Sequence, residues 1–174
     1  MQGEALLVTF VSTSAGLLPW RRLSIMDVSG TIDAILGQKG GEIFSVSPDA
    51  TVYEAIDLMA SRNVGALLVV EDGALLGMIS ERDYTRKVML RGKRSRETQV
   101  REIMSSDLTV VTPREPVENC LRMMTEKRIR HLPVVEGETL RGIVSIGDLV
   151  KWVIASQSAT IAHLESYISG GYTG

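Results

Sequence analysis

Shifting the chain by 65 positions lays residues 43–89 on residues 108–154 without a gap. An internal repeat constrains a fold more tightly than any local pattern, because each copy must close as the same supersecondary unit and bury its apolar face against a neighbour. The identities fall at punctuating sites: Pro48 and Pro113, Val52 and Val117, Met59 and Met124, Val69 and Val134, Val70 and Val135, Gly77 and Gly142, Ser80 and Ser145, Asp83 and Asp148. Chance does not place that set in register across an ungapped span.

Each copy reads as strand, helix, strand, strand, helix. A short extended piece, 44–46 or 109–111, runs into Ser47-Pro48 or Thr112-Pro113, where proline fixes φ and pushes the preceding residue out of the helical region. The helix that follows carries Val52, Ala55, Ile56, Leu58 and Met59, or Val117, Cys120, Leu121, Met123 and Met124. Their three- and four-residue spacing defines one buried face, so Cys120 is a packing residue. Apolar runs at 66–70 and 75–79 flank Glu71-Asp72-Gly73-Ala74, a hairpin signature that 132–135 and 140–144 reproduce. Ser80 and Ser145 then stand as N-caps of a second helix. The predicted fold class is α+β, with two β-α-β-β-α repeats in tandem.

The flanks add a second layer of symmetry. Residues 32–36 and 100–104 precede the two copies in equivalent places, while 91–98 is polar, basic and aperiodic and reads as a linker. The expected division is a leader over 1–25, a first domain with its preceding helix over 26–92, a linker over 93–99, a second domain over 100–155 and a C-terminal helix or tail over 156–174. In that tail Ile161, Leu164 and Ile168 fall on one helical stripe.

Composition removes several function classes. With 44% hydrophobic and 23% charged residues the chain can bury a core, and wholesale disorder is excluded. A net charge of −2 offers no global field to draw it to nucleic acid or an anionic membrane. A single cysteine forbids an intrachain disulfide and suits a reducing cytoplasm. His131 and His163 lack any ligand spacing, so no metal site is expected. No apolar run reaches the length of a membrane span, and the stretch 5–11 is not preceded by the Lys or Arg that a secretory signal requires. Residues 1–25 are expected to be a poorly specified leader, for which two readings stay open: an organelle transit peptide suggested by Arg21 and Arg22 but weakened by Glu4, and a natural start at Met26. Neither copy supplies a nucleophile beside a base, paired carboxylates or a phosphate loop, which favours a binding module over an enzyme.

What recurs instead is Gly-x-x-Ser-x-x-Asp, at 77–83 and again at 142–148. At a strand-to-helix junction this spacing brings a hydroxyl and free backbone N–H groups to a helix N-terminus, an anion site. One turn further in, Asp83 and Asp148 could accept both hydroxyls of a ribose, since a carboxylate offers two acceptor oxygens. Together these groups suit a nucleoside phosphate. The structural alternative is that both serines only cap and both aspartates only balance the helix dipole.

In these residues the chain resembles a tandem pair of CBS domains, the nucleotide-sensing regulatory module named after cystathionine β-synthase. The resemblance covers residues 30–155 and rests on the whole repeat, on Arg130-His131-Leu132-Pro133-Val134-Val135 and on both Gly-x-x-Ser-x-x-Asp segments. It implies two repeats packed through their sheets as a pseudo-two-fold disc, with two clefts that bind adenosine derivatives. AMP is the first expectation, with ATP, ADP or NAD(H) as alternatives. Asp83 and Asp148 match the family's ribose-binding aspartates, and Ser80 and Ser145 its hydroxyl contacts. Arg82 matches a phosphate-reaching position that Gly147 leaves empty in the second copy. Arg130 and His131 match a basic pair where the first copy has Gly65 and Ala66, so the two clefts are expected to differ. The stronger one should draw on Arg82, Arg86 and Lys87, with Arg130 and His131 from the other repeat. Val64 to Ala66, or Ile129 to His131, would offer backbone groups to adenine, with Ile43, Ser45 and Thr109 lining the base.

A module this small tends to bury its exposed helices against a copy of itself, so a homodimer is expected, and the resemblance adds a regulated protein partner. Glu81 to Tyr84, Arg128 to His131 and the tail are similar to stand-alone bacterial CBS pairs and to plant mitochondrial ones that regulate thioredoxin. Two other readings compete. One is a regulatory fragment related to inosine monophosphate dehydrogenase, although the barrel of such an enzyme needs about 250 residues. The other is a protein-interaction or nucleic-acid-binding module using Arg91, Lys93, Arg94 and Arg96, which lack interleaved aromatics for stacking.

Overall fold

The computed structural model describes residues 30–40 and 42–170, with side chains through residue 159. The leader at 1–25 and the stripe Ile161, Leu164 and Ile168 lie outside what is described. The first repeat contains β1 (Ser45–Val46), α2 (Val52–Arg62), β2 (Ala66–Glu71), β3 (Ala74–Ser80) and α3 (Glu81–Lys87), preceded by α1 (Ile32–Lys39). The second contains α4 (Val117–Lys127), β4 (His131–Glu136), β5 (Thr139–Ser145) and α5 (Ile146–Gly170). The strand, helix, hairpin, helix order expected from the repeat is present in both copies, with one difference.

In the first copy β1 pairs parallel with β2, and Leu68 N–H donates to the Phe44 carbonyl at 3.2 Å. In the second copy residues 109–111 form no strand. Only a single parallel bridge, Val111 to Val134, remains. The cause is Pro133, the repeat counterpart of Leu68, which has no N–H to donate at that rung. The hairpins themselves match: β2–β3 and β4–β5 pair antiparallel, with register shifts at Val69/Val70 and Val134/Val135.

Each repeat has its own buried core, and each core is completed by residues that precede the other copy. Val100 and Ile103 lie in the cluster of Val52, Ala55, Met59, Leu67 and Ile79. Ile32 and Ile35 lie in the cluster of Val117, Cys120, Met124, Leu132 and Val144. Main-chain hydrogen bonds repeat the exchange. Val100 and Arg101 N–H donate to the Ala50 and Pro48 carbonyls, both at 2.9 Å, and Val52 N–H to Thr98. Ile32 and Asp33 N–H donate to the Glu115 and Pro113 carbonyls at 3.0 and 2.8 Å, and Val117 N–H to Gly30. Helix α1, grouped with the first domain by sequence order, is therefore packed into the second repeat.

This exchange explains the glycine of the recurring motif. A Cβ on Gly77 would stand 2.8 Å from the Ser105 carbonyl oxygen and 3.0 Å from the Met104 sulfur; one on Gly142 would stand 3.0 Å from Leu36. In both copies the missing side chain leaves room for the crossing flank.

The basic segment read as a linker is fastened to the first repeat: Tyr53 N–H donates to the Ser95 carbonyl, Thr98 is buried, and Arg96 lies 3.6 Å from the centroid of the Tyr53 ring. The expected C-terminal helix is continuous with the last helix of the second repeat, since α5 runs unbroken through Gly170.

Because Ile103 is fully buried in the core of a repeat it does not belong to by sequence, Ile103→Ala should cost about 2–5 kcal/mol in urea unfolding. A loss under about 1 kcal/mol would contradict the exchanged-core packing.

Candidate functional site

The seam between the repeats opens as a cleft of about 330 Å³, within the range of small-molecule sites. One wall is the end of β3 with α3, carrying Ser80, Arg82, Asp83, Arg86 and Lys87. The opposite wall comes from the segment entering the second copy and from the turn between α4 and β4, carrying Ser105, Asp107, Thr109 and Arg128 to His131. Five permanent cations (Arg82, Arg86, Lys87, Arg128 and Arg130) therefore face two carboxylates, Asp83 and Asp107. An excess of guanidinium in a partly enclosed space is suited to an anionic ligand.

Both Ser-x-x-Asp segments form capping boxes. Asp83 N–H donates to Ser80 Oγ, while the Ser80 N–H and hydroxyl donate to Asp83 Oδ2 at 3.1 and 2.6 Å. Asp148 N–H donates to Ser145 Oγ, and the Ser145 N–H and hydroxyl donate to Asp148 Oδ2 at 2.8 and 2.9 Å. The capping alternative is thus realised in both copies. It leaves the other oxygen of Asp83 turned toward the seam, where Oδ1 receives Lys87 Nζ at 2.8 Å and the Ser105 hydroxyl at 3.4 Å. A carboxylate held this way is pre-oriented for hydroxyl donors arriving from the cleft.

Arg82 does not point freely at the cleft space. Its Nη1 donates to the Arg128 carbonyl at 3.0 Å, crossing from the first repeat to the second. That carbonyl belongs to the left-handed residue that ends α4, with φ of 54°. Arg82 thus bridges the two walls, and Arg86 and Arg130 are the other exposed guanidiniums of the sequence-derived set on the cleft.

His131 departs from its expected role as half of a basic pair. Burial pushes its imidazole down to about 4, helped by the charges of Arg130 and Lys39 and opposed by Asp148. It is neutral at pH 7, so it offers one donor and one acceptor rather than a charge.

Nine residues named from the sequence (Ser80, Arg82, Asp83, Arg86, Lys87, Thr109, Ile129, Arg130 and His131) line this cleft. Ser45, Val64 and Ala66 do not line it. Ser45 pairs with Leu68 in the sheet, Ala66 is buried opposite Ser80, and Val64 packs against the first core. Of the two segments offered for adenine, the one at this cleft is Ile129 to His131. Ser145 and Asp148 stand apart from it. Asp148 borders a recess of about 130 Å³ with Lys39 and Trp152, and Lys39 Nζ lies 2.8 Å from its Oδ2. Partial burial alone would raise the Asp148 carboxyl, but hydrogen bonds from Lys39 and Ser145 outweigh it and hold the group below the usual carboxylate range. Sequence reading missed Asp107 and Ser105 because they lie outside the aligned repeat. Arg128 was missed as a cleft residue because its copy-one counterpart is Asn63.

Among the described residues no group of His, Cys, Asp or Glu could hold a metal ion, and no helix is long and apolar enough to cross a membrane. Burial pushes the Cys120 thiol up to about 11, with Glu115 adding to the shift, which removes its nucleophilicity. Three of the four linker cations are engaged: Lys93 with Glu102, Arg94 with Glu97, and Arg96 over Tyr53.

Comparison with known proteins agrees with this architecture. The family model described as CBS domain matches residues 41–90 and 100–155. The Arabidopsis thaliana protein named CBS domain-containing protein CBSX3, mitochondrial, is 40% identical over 172 residues, covering 94% of this chain and 84% of its own length. A solved Burkholderia ambifaria protein with CBS domains, named for signal transduction, is 46% identical with a TM-score of 0.71, over 74% of this chain and 96% of that one. The CBS domain pair of protein MJ0100, solved in complex with 5′-methylthioadenosine and S-adenosyl-L-methionine, is 22% identical with a TM-score of 0.65, over 73% and 98%.

The depressed His131 pKa has a consequence for stability. Its folded value, about 4, lies below the ordinary 6.5, so the unfolded chain binds the proton first as pH falls. The stabilisation is fully present above 6.5 and is lost toward 4, at up to about 1.4 kcal/mol per pH unit. Urea unfolding between pH 7 and 4 should show His131→Gln losing less stability than the parent protein; parallel pH curves would contradict the buried neutral imidazole.

Proposed function

The chain belongs to the CBS-domain family, and from that premise we propose that it is a non-catalytic regulatory module that takes an adenine nucleotide, AMP first, into the cleft between its repeats. The observation that carries this reading is the meeting of one capped carboxylate, Asp83, with five cations across a seam of about 330 Å³. A ribose diol can donate to Asp83 by replacing the Ser105 hydroxyl and loosening Lys87. A phosphate has Arg86 and Arg130 within the same walls, and can compete with the Arg128 carbonyl for Arg82. Neutral His131 and the backbone of Ile129 offer the adenine edge one donor and acceptors without adding charge.

ADP, ATP and NAD(H) share these groups and form the alternative ligands. The likeness to the pair holding methylthioadenosine and S-adenosylmethionine carries the fold alone, so those compounds serve as comparison ligands. The sulfonium of S-adenosylmethionine would meet repulsion from the cations that favour phosphate. The role is regulatory by linkage: a nucleotide that fits one arrangement of the two repeats better than another shifts the population, and with it the affinity for a protein partner. Ile146, Val150 and Ile154 form an exposed apolar row at four-residue spacing on α5, which supports a homodimer through this helix. The compartment proposed is the cytoplasm, on the strength of a lone buried thiol; the plant relative named mitochondrial makes the mitochondrion the competing assignment.

Calorimetric titration with AMP, ADP, ATP, NADH and S-adenosylmethionine tests the reading. AMP should bind, and Asp83→Asn, which keeps the helix cap while removing the charge, should weaken binding about ten- to hundredfold. Absence of heat with every compound at tens of micromolar protein would refute it.

A further inference from the structure

Asp148 is the repeat counterpart of Asp83, yet its cation comes from elsewhere in the chain. At Asp83 the partner is Lys87, four residues along the same helix, so the two move together. In the second copy the place of Lys87 is taken by Trp152, and the ammonium comes from Lys39, the last residue of α1. Lys39 Nζ lies 2.8 Å from Asp148 Oδ2 and donates to the Ile143 carbonyl at 3.2 Å. We infer that Lys39 is an internal stand-in for a ligand on Asp148, and that a nucleotide reaching this second site displaces it and releases the C-terminal turn of α1. The inference rests on the ligand reading given above.

Helix α1 is built to respond. It has eight residues and Gly37 in its interior, so its own helicity is weak and its contacts hold it. Those contacts divide along its length. Burial of Ile32 and Ile35, with two main-chain hydrogen bonds to the Glu115 and Pro113 carbonyls, anchors the N-terminal half. The C-terminal half rests on Leu36 against Gly142 and on Lys39. Gly40, at φ of 86°, ends the helix directly after that lysine. The Lys39 and Asp148 side chains are 36% and 24% exposed. A pair this open is worth no more than about a fivefold factor, which a ribose diol on the same carboxylate can overcome. Occupancy of the second site would then be read on the outer face of the second repeat, where α1 lies against β5 and α5.

Hydrogen exchange of the full chain, followed by mass spectrometry with and without AMP, tests this. AMP should accelerate exchange in the last turn of α1 up to about fivefold in the parent protein. Lys39→Met should show the faster exchange before AMP is added and no further response, and Lys39→Arg should restore the parent behaviour. Asp148→Asn should behave as Lys39→Met does. If calorimetry registers AMP binding while α1 exchange is unchanged or slowed, the inference is wrong and the ligand reading stands. The same holds if Lys39→Met responds in full. If AMP does not bind at all, the ligand reading fails and the inference fails with it.

Discussion

Neither repeat can complete its core alone, and the rest of the architecture depends on that constraint. Val100 and Ile103 fill the first core, and Ile32 and Ile35 fill the second. Main-chain hydrogen bonds link each flank to the loop and helix start of the repeat it fills, at matching positions. The two units are therefore bound together by chain connectivity as well as by apolar burial. A cleft at their seam can keep a defined width only because this exchange holds the walls in register. The invariant spacing of Gly77 and Gly142 within the repeat serves the same end, since each accepts a flank that a methyl group would push away.

Within that frame the Ser-x-x-Asp segments do two things with one carboxylate. One oxygen closes a capping box, which fixes the helix start and the side-chain rotamer. At Asp83 the other faces a seam rich in arginine. A local stabilising device thereby becomes a rigid acceptor, and pre-organisation of this kind lowers the entropic cost of holding a ligand. Divergence between the copies then makes the two sites unequal. Arg82 has Gly147 as its counterpart and Lys87 has Trp152, so the cations gather on one side of the module, while Asp148 meets a lysine from α1.

Much of this was legible in the repeat. The strand and helix order, the hairpins and the caps at Ser80 and Ser145 follow from spacing and from alignment of the copies, whereas the joining of Arg82, Asp83 and Arg130 at one cleft was implied by the resemblance to CBS domains. Contacts set by tertiary crossing were not legible. Sequence order assigned α1 to the nearer repeat, whereas its Ile32 and Ile35 are buried in the farther one. Residues 109–111 carry the same pattern as β1, but Pro133 removes the donor that a ladder needs. His131 has a basic residue type, yet burial beside Arg130 and Lys39 leaves it neutral. Asp107 and Ser105 line the cleft from outside the repeat, where no alignment of the copies could point to them.

The central claim is that Asp83 and the cations around it hold a nucleotide at the seam. A crystal structure of the AMP complex tests it most directly. The account predicts both ribose hydroxyls within hydrogen-bond distance of the Asp83 carboxylate and the phosphate between Arg86 and Arg130. AMP bound elsewhere, with Lys87 and Ser105 still occupying Asp83, would contradict it.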